Sequence, residues 1–242
     1  MVSSTDGHFA CFVTGTDTEI GKTLISCALL HALGRQGVKA VGMKPVAAGA
    51  QWRDGAWHNE DVDALAQASG LSLARELTTP YLWQEPVAPH IAARQAGVEM
   101  FASPILEAYA KLAGQADAVV VEGVGGFCVP LSNYLDTADL ALELGLPVVM
   151  VVGLRLGCIN HALLTAQAVA AQGLSLAGWV ANTVDAGMPF MGENIDALRR
   201  RLPAPLLGHV PRLAQPSPAE AAGHLDFSCL PGWPAAKGKG SE

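Results

Sequence analysis

Short, almost wholly apolar runs alternate along this chain with longer segments whose apolar residues recur at helical spacing. The short runs end at polar residues, glycine or proline, and they predict strands buried on both faces, as in parallel sheets covered by helices. The runs predicted as strands are 9–14, 38–44, 118–122, 147–152, 176–181 and 206–210. The segments predicted as helices are 24–33, 62–68, 103–112, 137–144, 158–172 and 193–202.

The segments between these elements complete the predicted organisation. Residues 51–58 are polar with two tryptophans and predict a surface loop of unknown role, and the proline-rich segment 81–90 is expected to be extended. Ser103 is expected to cap the helix that follows it. Residues 231–242 are rich in Gly, Pro, Ala and Lys and predict a disordered tail. With no internal repeat and no clear linker, residues 1–230 are expected to form one α/β domain.

The loop between the first strand and the first helix carries a phosphate-binding pattern. From Gly15 to Thr23 it spells Gly-Thr-Asp-Thr-Glu-Ile-Gly-Lys-Thr, and its position between strand and helix is that of a P-loop. In such a loop Lys22 reaches the outer phosphates and the Thr23 hydroxyl holds Mg²⁺. The spacing is a variant, since Thr16 lies five positions before Gly21, where glycine is usual. An ordinary turn with a lysine on its rim is disfavoured, because a lysine at a helix N-terminus is electrostatically misplaced without an anion.

Polar residues lie just past the ends of several other predicted strands. They are Lys44, Glu122, Asn182 and the loop before Cys158. In open parallel sheets ligands bind beyond the carboxyl ends of the strands. The sequence therefore predicts a P-loop NTPase-like α/β fold with a mostly parallel central sheet, helices on both faces and one crevice shared by these residues.

Two acids are candidates for the Mg²⁺ shell. Glu122 ends an apolar strand, where P-loop enzymes commonly place a metal-binding acid, and Gly123 and Gly125 allow a ligand to approach. A role for Glu122 in capping the next turn is disfavoured, because Mg²⁺ needs a second oxygen ligand near Thr23. Asp61 either completes the shell or caps the helix behind it, and its spacing leaves both open.

Four charged residues bear on the chemistry of the crevice. Lys22 and Lys44 together suit a phosphoryl transfer whose transition state carries spread negative charge, although a solvated rim position also fits Lys44. Asp17 and Glu19 would repel phosphate from within the loop. Either they point to solvent or a cation lies beside them, and we hypothesise a positively charged substrate there.

Two further segments are candidate ligand sites. Residues 157–160 begin a predicted helix whose free N–H groups suit a carboxylate, although an ordinary turn fits equally. Asn182-Thr183-Val184-Asp185 resembles the Asn-Lys-x-Asp element that recognises guanine, but Thr183 replaces the lysine. Base recognition near Asn182 is predicted, and the identity of the base stays open.

Composition narrows the possible partners and the compartment. Half of the 242 residues are hydrophobic, enough for a sizeable core, and the net charge of −7 disfavours binding to nucleic acid or to an anionic membrane surface. The five cysteines form no CxxC pair and indicate a reducing compartment. The polar first residues show no secretory signal, and the longest apolar run, 144–156, is too short to span a bilayer. A cytoplasmic protein is expected.

Several sequence strings, taken in order, resemble the dethiobiotin synthetase family over about residues 9–213. They are Phe-Val-Thr-Gly-Thr-Asp-Thr-Glu-Ile-Gly-Lys-Thr from 12, Lys-Pro-Val-Ala from 44, Pro-His-Ile from 89, Val-Glu-Gly from 121, Leu-Gly-Cys-Ile-Asn-His-Ala from 156, Gly-Trp-Val-Ala-Asn from 178 and Pro-Ala-Pro-Leu-Leu-Gly from 203. The resemblance implies an ATP- and Mg²⁺-dependent ring closure. In it, 7,8-diaminononanoate takes up CO₂ as a carbamate, ATP phosphorylates the carbamate, and the second amine closes the cyclic urea with release of ADP and phosphate.

The resemblance also implies roles for individual residues. Lys22 and Lys44 are the implied catalytic residues, and Thr23, Asp61 and Glu122 the implied Mg²⁺ ligands. The implied nucleotide contacts are Glu19, Ile20, Gly21, Lys22, Thr23, Leu24, Glu122, Gly123, Gly125, Asn182, Thr183, Pro211, Arg212 and Leu213, with Asn182 and 211–213 at the adenine. The implied substrate contacts are Thr18, Lys44, Ala48, Gly157, Cys158, Ile159 and Asn160. Cys158, Ile159 and Asn160 would take the substrate carboxylate across the interface of a homodimer.

The chain departs from the family at Ala48, where the family usually has serine. Because a hydroxyl expected to help hold the substrate is missing, weaker or differently arranged diamine binding is expected.

Three other classes of protein share parts of the pattern. A partition-type ATPase switch carries a second lysine early in the P-loop, about where this chain has Asp17. An amide-forming ligase that acts on a corrin precursor usually adds a glutamine-splitting domain, for which little chain remains. A guanine-nucleotide switch would have lysine in place of Thr183. Each of these differences counts against the class concerned.

Overall fold

Strands and helices alternate along residues 8–235, the part of the chain that the computed structural model describes. The strands are β1 (Phe9–Gly15), β2 (Ala40–Met43), β3 (Val46–Ala47), β4 (Gln51–Arg53), β5 (Ala56–His58), β6 (Tyr81–Leu82), β7 (Ala118–Glu122), β8 (Val148–Leu154), β9 (Leu176–Thr183) and β10 (Leu206–Val210). The helices are α1 (Lys22–Arg35), α2 (Glu60–Ala68), α3 (Arg75–Thr78), α4 (Pro89–Gln95), α5 (Ala102–Ala113), α6 (Thr137–Leu144), α7 (Cys158–Ala171), α8 (Met191–Arg199) and α9 (Pro218–Ala222).

The six apolar runs form one central sheet in the order β10-β9-β8-β1-β7-β2. Every pairing in it is parallel, so the carboxyl ends of all six strands meet at one edge. The predicted parallel sheet is confirmed, and β1 lies inside it between β7 and β8. The P-loop therefore leaves the sheet at its centre, with neighbouring strand ends on either side.

Helices cover both faces of the sheet, as predicted. Along β1, Cys11 and Val13 pack into the core beneath α1 and α9, whereas Phe12 packs into a core with α5 and α6 on the opposite face. Met150 and Trp179 continue this second face beneath α7 and α8. Because successive side chains of a strand point to opposite faces, the unbroken apolar runs supply both cores at once.

Segment 51–58, predicted as a loop, is a β-hairpin. Its strands β4 and β5 pair antiparallel, and the rings of Trp52 and Trp57 meet edge to face with centroids 5.3 Å apart. Asp54 and Gly55 form the turn, with φ of 51° and 81°. Asp-Gly with both φ values positive is a favoured two-residue hairpin turn. The prediction of a loop was wrong, and this dipeptide was the sequence signal for the hairpin.

Other boundaries differ from those predicted. Helix α5 begins at Ala102, so Ser103 lies inside its first turn and makes no capping bond. Helix α4 occupies part of the segment predicted to be extended, with Pro89 in its first turn. Strand β9 runs two residues further than predicted and includes both Asn182 and Thr183.

The predicted tail falls partly outside the described residues, since 236–242 are not described. Trp233, within that tail, packs against Phe9 of the first strand and against Phe227, each with ring centroids 5.1 Å apart. The packed unit therefore extends beyond residue 230, where the domain was predicted to end.

Candidate active site

The loop between β1 and α1 has the geometry of a phosphate cradle. Its first residue is held against the neighbouring strand, because Thr16 N donates to Val151 O at 3.0 Å. Gly21 stands at the N-cap of α1 in the left-handed region, with φ of 88°. No side chain caps this helix end. The first N–H groups of α1 are therefore available to an anion.

Lys22 lies across the loop that precedes it. Its side chain is buried, and Nζ donates to the backbone O of Asp17 at 3.0 Å. Burial, together with repulsion from Lys44, lowers the pKa of Lys22 to about 8. The buried ammonium group of Lys22 is therefore available to pair with a phosphate.

Beneath the loop, Lys44 binds two carboxylates. Its Nζ lies 2.6 Å from Glu122 Oε1, 2.9 Å from Asp61 Oδ2 and 3.2 Å from Gly123 O, so its three N–H bonds all have acceptors. Burial lowers the pKa of Lys44, but the two carboxylates outweigh burial and hold the pKa above its ordinary value. Burial likewise raises the pKa of Asp61, and the neighbouring Lys44 and Thr23 turn the net shift downward. The charges of Lys44 and Asp61 thus each favour the ionised form of the other.

The same carboxylates adjoin the Thr23 hydroxyl, which lies 2.6 Å from Asp61 Oδ1 and 2.9 Å from Glu122 Oε1. The other oxygen of Glu122, Oε2, is buried and has no hydrogen-bond partner within residues 8–235. A buried carboxylate oxygen without a partner is costly unless a cation or donor meets it. Two carboxylates and a hydroxyl are hard oxygen ligands, so Thr23, Asp61 and Glu122 fit the Mg²⁺ predicted there.

Asn59, rather than Asp61, caps helix α2. Its Oδ1 accepts from the backbone N of Asp61 at 3.2 Å and of Val62 at 3.3 Å, while its Nδ2 donates to Ala48 O at 2.9 Å. The cap therefore leaves the Asp61 carboxylate free to face Thr23 and Lys44. It also ties α2 to the segment that carries Ala48.

A cleft of about 790 Å³ opens above this cluster. Predicted site residues line it, namely Thr18, Glu19, Gly21, Lys22, Thr23, Lys44, Ala48, Asp61 and Gly125. The remaining wall is made by Ala47, Pro86, Val87, Ala88, Pro89, Val124 and Val129, none of which was predicted as a site residue. A polar, cationic floor and an apolar wall suit a phosphorylated ligand beside an aliphatic one.

Comparison with known proteins agrees with this geometry. The ATP-dependent dethiobiotin synthetase of Janthinobacterium sp. (strain Marseille) is 66% identical over 232 residues, which cover 94% of this chain and 98% of that protein. The chain belongs to the dethiobiotin synthetase family. The ATP-dependent dethiobiotin synthetase of Aromatoleum aromaticum (strain DSM 19018 / LMG 30748 / EbN1) is 58% identical over 216 residues, covering 89% of this chain and 96% of that protein. A family model described as an AAA domain matches residues 10–220.

The fold of this dethiobiotin synthetase family member is also found in a solved cell division protein. A chain of the MinC:MinD complex of Aquifex aeolicus matches with a TM-score of 0.52 at 13% identity, covering 90% of this chain and 86% of that chain. At that identity the likeness shows the fold alone. It confirms the predicted P-loop NTPase-like arrangement.

The residues that the dethiobiotin synthetase resemblance assigns to adenine lie around the end of β9. Asn182 is buried, and its Nδ2 donates to Ile20 O at 2.7 Å, which ties the strand end to the P-loop. Thr183 Oγ1 lies 2.8 Å from His209 Nε2, and burial lowers the pKa of His209. His209 was not predicted as a site residue. It lies on β10, the neighbour of β9, and nothing in the sequence indicated that these two strands pair.

The other assigned nucleotide residues divide between surface and core. Pro211 and Arg212 are exposed just after β10, while Leu213 is buried in the core beneath α1. Ile20 is buried too, and Leu24 packs against the same core, so both support the loop. Gly123 and Gly125 follow Glu122 at the end of β7, and Gly125 lines the cleft.

The resemblance assigns the start of α7 to the substrate carboxylate, but some of its groups already make contacts within the fold. Cys158 and Ile159 pack into the core between α7 and the sheet, so their side chains face inward. The N–H of Cys158 donates to Arg155 O at 3.0 Å. Gly157 has φ of 95° and, like Asn160, is exposed. The groups here that remain available to a ligand are the backbone N–H groups of Ile159 and Asn160 and the Asn160 side chain.

A protein cation lies beside Asp17. The Arg155 guanidinium donates to Asp17 Oδ2, whereas Glu19 is exposed with φ of 53°. The cation postulated beside the loop is thus supplied at Asp17 by the chain itself. The hypothesis of a positively charged substrate is not needed to explain Asp17.

No helix within residues 8–235 is long and apolar enough to cross a bilayer. All five cysteines fall in this range and are free, with Cys11, Cys27 and Cys158 buried.

Proposed function

We propose that this chain closes the cyclic urea of dethiobiotin from 7,8-diaminononanoate, CO₂ and ATP. The observation that supports this function best is the placement of Lys22 and Lys44 on the floor of one cleft, beside a hard-oxygen ligand set. The chain's membership of the dethiobiotin synthetase family supplies the reaction.

The proposed reaction has three steps. One substrate amine attacks CO₂ and loses a proton, which gives a carbamate. A carbamate oxygen then attacks the γ-phosphorus of ATP, and ADP leaves. The second amine attacks the carbonyl carbon of this mixed anhydride and loses a proton, phosphate leaves, and the ring closes as a urea.

The floor of the cleft supplies the charge that these steps need. Lys22 and the N–H groups at the start of α1 bind the β- and γ-phosphates, and Lys44 stabilises the carbamate and the transferring phosphoryl group. Thr23, Asp61 and Glu122 would hold Mg²⁺, which when bound neutralises phosphate charge. Lys44 is held in place by the same acids, so its position is fixed before substrate arrives.

The adenine is proposed to lie near Asn182, Thr183 and the segment 211–213. The carbonyl of Ile20 can only accept, so the Asn182 atom facing it is the amide nitrogen. Oδ1 of Asn182 is therefore the atom left to accept a hydrogen bond from a base. An acceptor at that point suits the amino group of adenine and disfavours the oxygen of guanine.

The substrate carboxylate is proposed to bind the start of α7 of a second subunit in a homodimer. Helix α7 contains no charged residue, although Asn160 and His161 on it are exposed. Leu164 on this helix is 56% exposed, and Leu156 just before it is 94% exposed. An uncharged helix face with exposed leucines suits a protein interface. Cytoplasmic location is proposed as well, since free buried thiols fit a reducing compartment.

Diamine-dependent ADP release tests the proposed reaction. Purified protein is given MgATP and bicarbonate, with and without 7,8-diaminononanoate, and the product mass is followed. ADP formation that requires the diamine and matches the cyclic urea is expected. Lys44→Met should abolish it, whereas Lys39→Met, at an exposed lysine, should not. ATP hydrolysis indifferent to the diamine would instead favour a switch or another ligase.

Subunit mixing tests the shared site. Lys44→Met and Asn160→Asp each alter a different part of the proposed composite site, and both are expected to be inactive alone. A mixed dimer contains one site with neither change, so mixing should restore part of the activity. If mixing restores none while the variants exchange subunits, each subunit holds a complete site of its own.

A further inference from the structure

An acid inside a phosphate-binding loop needs an electrostatic explanation, and Asp17 is such an acid. Its backbone O accepts from Lys22 Nζ at 3.0 Å, and its Oδ1 accepts from the backbone N of Thr18 at 2.8 Å. The conformation of Asp17 therefore helps to set the position of Lys22. Its negative charge, however, opposes the binding of phosphate in the same loop.

The Asp17 carboxylate is met from a neighbouring strand. Oδ2 accepts from the guanidinium of Arg155, which follows β8 directly. The backbone at Arg155 is anchored on both sides, since Leu154 O accepts from Asp185 N at 3.2 Å and Arg155 O accepts from Cys158 N at 3.0 Å. Arg155 thus belongs to the turn that begins α7, while its side chain reaches the P-loop.

We propose that Arg155 is a positioning residue that neutralises Asp17 and so permits nucleotide phosphates to bind the P-loop. The inference deepens the proposed function, on which it rests for the identity of the ligand. Through the same turn, Arg155 joins the phosphate loop to the start of α7. Exposed ion pairs add little to stability, and 46% of Arg155 and 36% of Asp17 are exposed. The pair is therefore better explained by ligand electrostatics than by folding.

The equilibrium binding of MgADP to Arg155→Ala, without diamine, tests the proposal. We expect the dissociation constant to rise roughly fivefold to twentyfold, because an unscreened carboxylate then faces the phosphates. The increase should shrink as salt is added. Arg155→Lys should recover most of the affinity. Arg199→Ala removes an arginine from another exposed ion pair and should leave binding unchanged.

A double-variant cycle with Asp17→Asn distinguishes neutralisation from direct contact. If Arg155 acts through Asp17, Arg155→Ala should have little effect in the Asp17→Asn background. An equal loss of affinity in both backgrounds would overturn the proposal and make Arg155 a direct phosphate ligand. Unchanged affinity of Arg155→Ala in the native background would overturn it too. Because these measurements need no diamine, they stay interpretable if the proposed reaction proves wrong.

Discussion

Lys44 Nζ and Glu122 Oε1 lie 2.6 Å apart, and both side chains are buried. The two residues belong to different strand ends, 78 positions apart in the chain. Each charge offsets the free-energy cost of burying the other. Asp61 adds a second carboxylate on the more exposed side of the pair. The floor of the cleft therefore contains a buried ion pair that fixes the position of the Lys44 ammonium.

Removing Lys44 alone should destabilise the free protein. Lys44→Met leaves the Glu122 carboxylate buried without its cation, and the free energy of unfolding should fall by about 3–5 kcal/mol. Lys44→Met combined with Glu122→Gln removes both charges and should regain much of that loss. Urea unfolding with a chelator present measures both effects. Equal destabilisation in the single and double variants would contradict this account of the pair.

Nucleotide affinity should fall as pH rises through about 8. Asp17, Asp61 and Glu122 face Lys22, but burial and the Lys44 charge prevail and lower the Lys22 pKa to about 8 in the free chain. Bound phosphates favour the charged lysine, so the complex holds more protons than the free chain above that pH. The dissociation constant of MgADP should therefore rise up to about tenfold per pH unit above 8. Titration calorimetry in buffers of different ionisation enthalpy should show proton uptake, and its absence there would refute the prediction.

Gly21→Ala should abolish tight nucleotide binding. The position has φ of 88°, and a Cβ there would collide with the Asn182 amide. Gly55→Ala is a matched control, because Gly55 has φ of 81° but open space around its Cβ. Both variants incur about 1–2 kcal/mol of backbone strain, and only Gly21→Ala also displaces Asn182. MgADP affinity is expected to drop at least tenfold in Gly21→Ala and to stay normal in Gly55→Ala; a similar loss in both would point to strain alone.

Two of the five cysteines should react with a thiol reagent in the native protein. Cys128 and Cys229 are exposed, whereas burial raises the pKa of Cys11 and of Cys27 to about 12, and Cys158 is buried. Burial and nearby Asp136 and Asp139 raise the pKa of Cys128, so it should react slowly at neutral pH. Counting labelled thiols by mass before and after denaturation checks this. Early labelling of a third site would contradict the burial described.

Ala48→Ser should tighten binding of the diamine. Ala48 lines the cleft, and a hydroxyl there supplies one further hydrogen-bonding group near Lys44. One net hydrogen bond is worth about 0.5–1.5 kcal/mol, so the KM for the diamine should fall by roughly twofold to tenfold. The KM for MgATP serves as the internal control and should not change. An unchanged KM for the diamine would mean that the hydroxyl is dispensable in this chain.

Much of the fold followed from local pattern, because burial on both faces of a parallel strand leaves an apolar run that the sequence displays directly. All six central strands were predicted, and the bounds of β7 and β10 match those predicted. The hairpin at 51–58 was missed since its strands are largely exposed and lack such a run. The prediction that Ser103 caps α5 was wrong, because nothing in the sequence distinguishes a serine at the N-cap from a serine in the first turn.

The sequence by itself determined the phosphate-binding loop, the positions of Lys44 and Glu122 at strand ends, and the family. Tertiary structure alone decided which of these groups meet. It placed Lys44 between Glu122 and Asp61, and it paired Asp17 with Arg155, which lies 138 positions further along the chain. Local periodicity records whether a residue is buried. It carries no information about which strands become neighbours, and the electrostatics of the cleft depend on that choice.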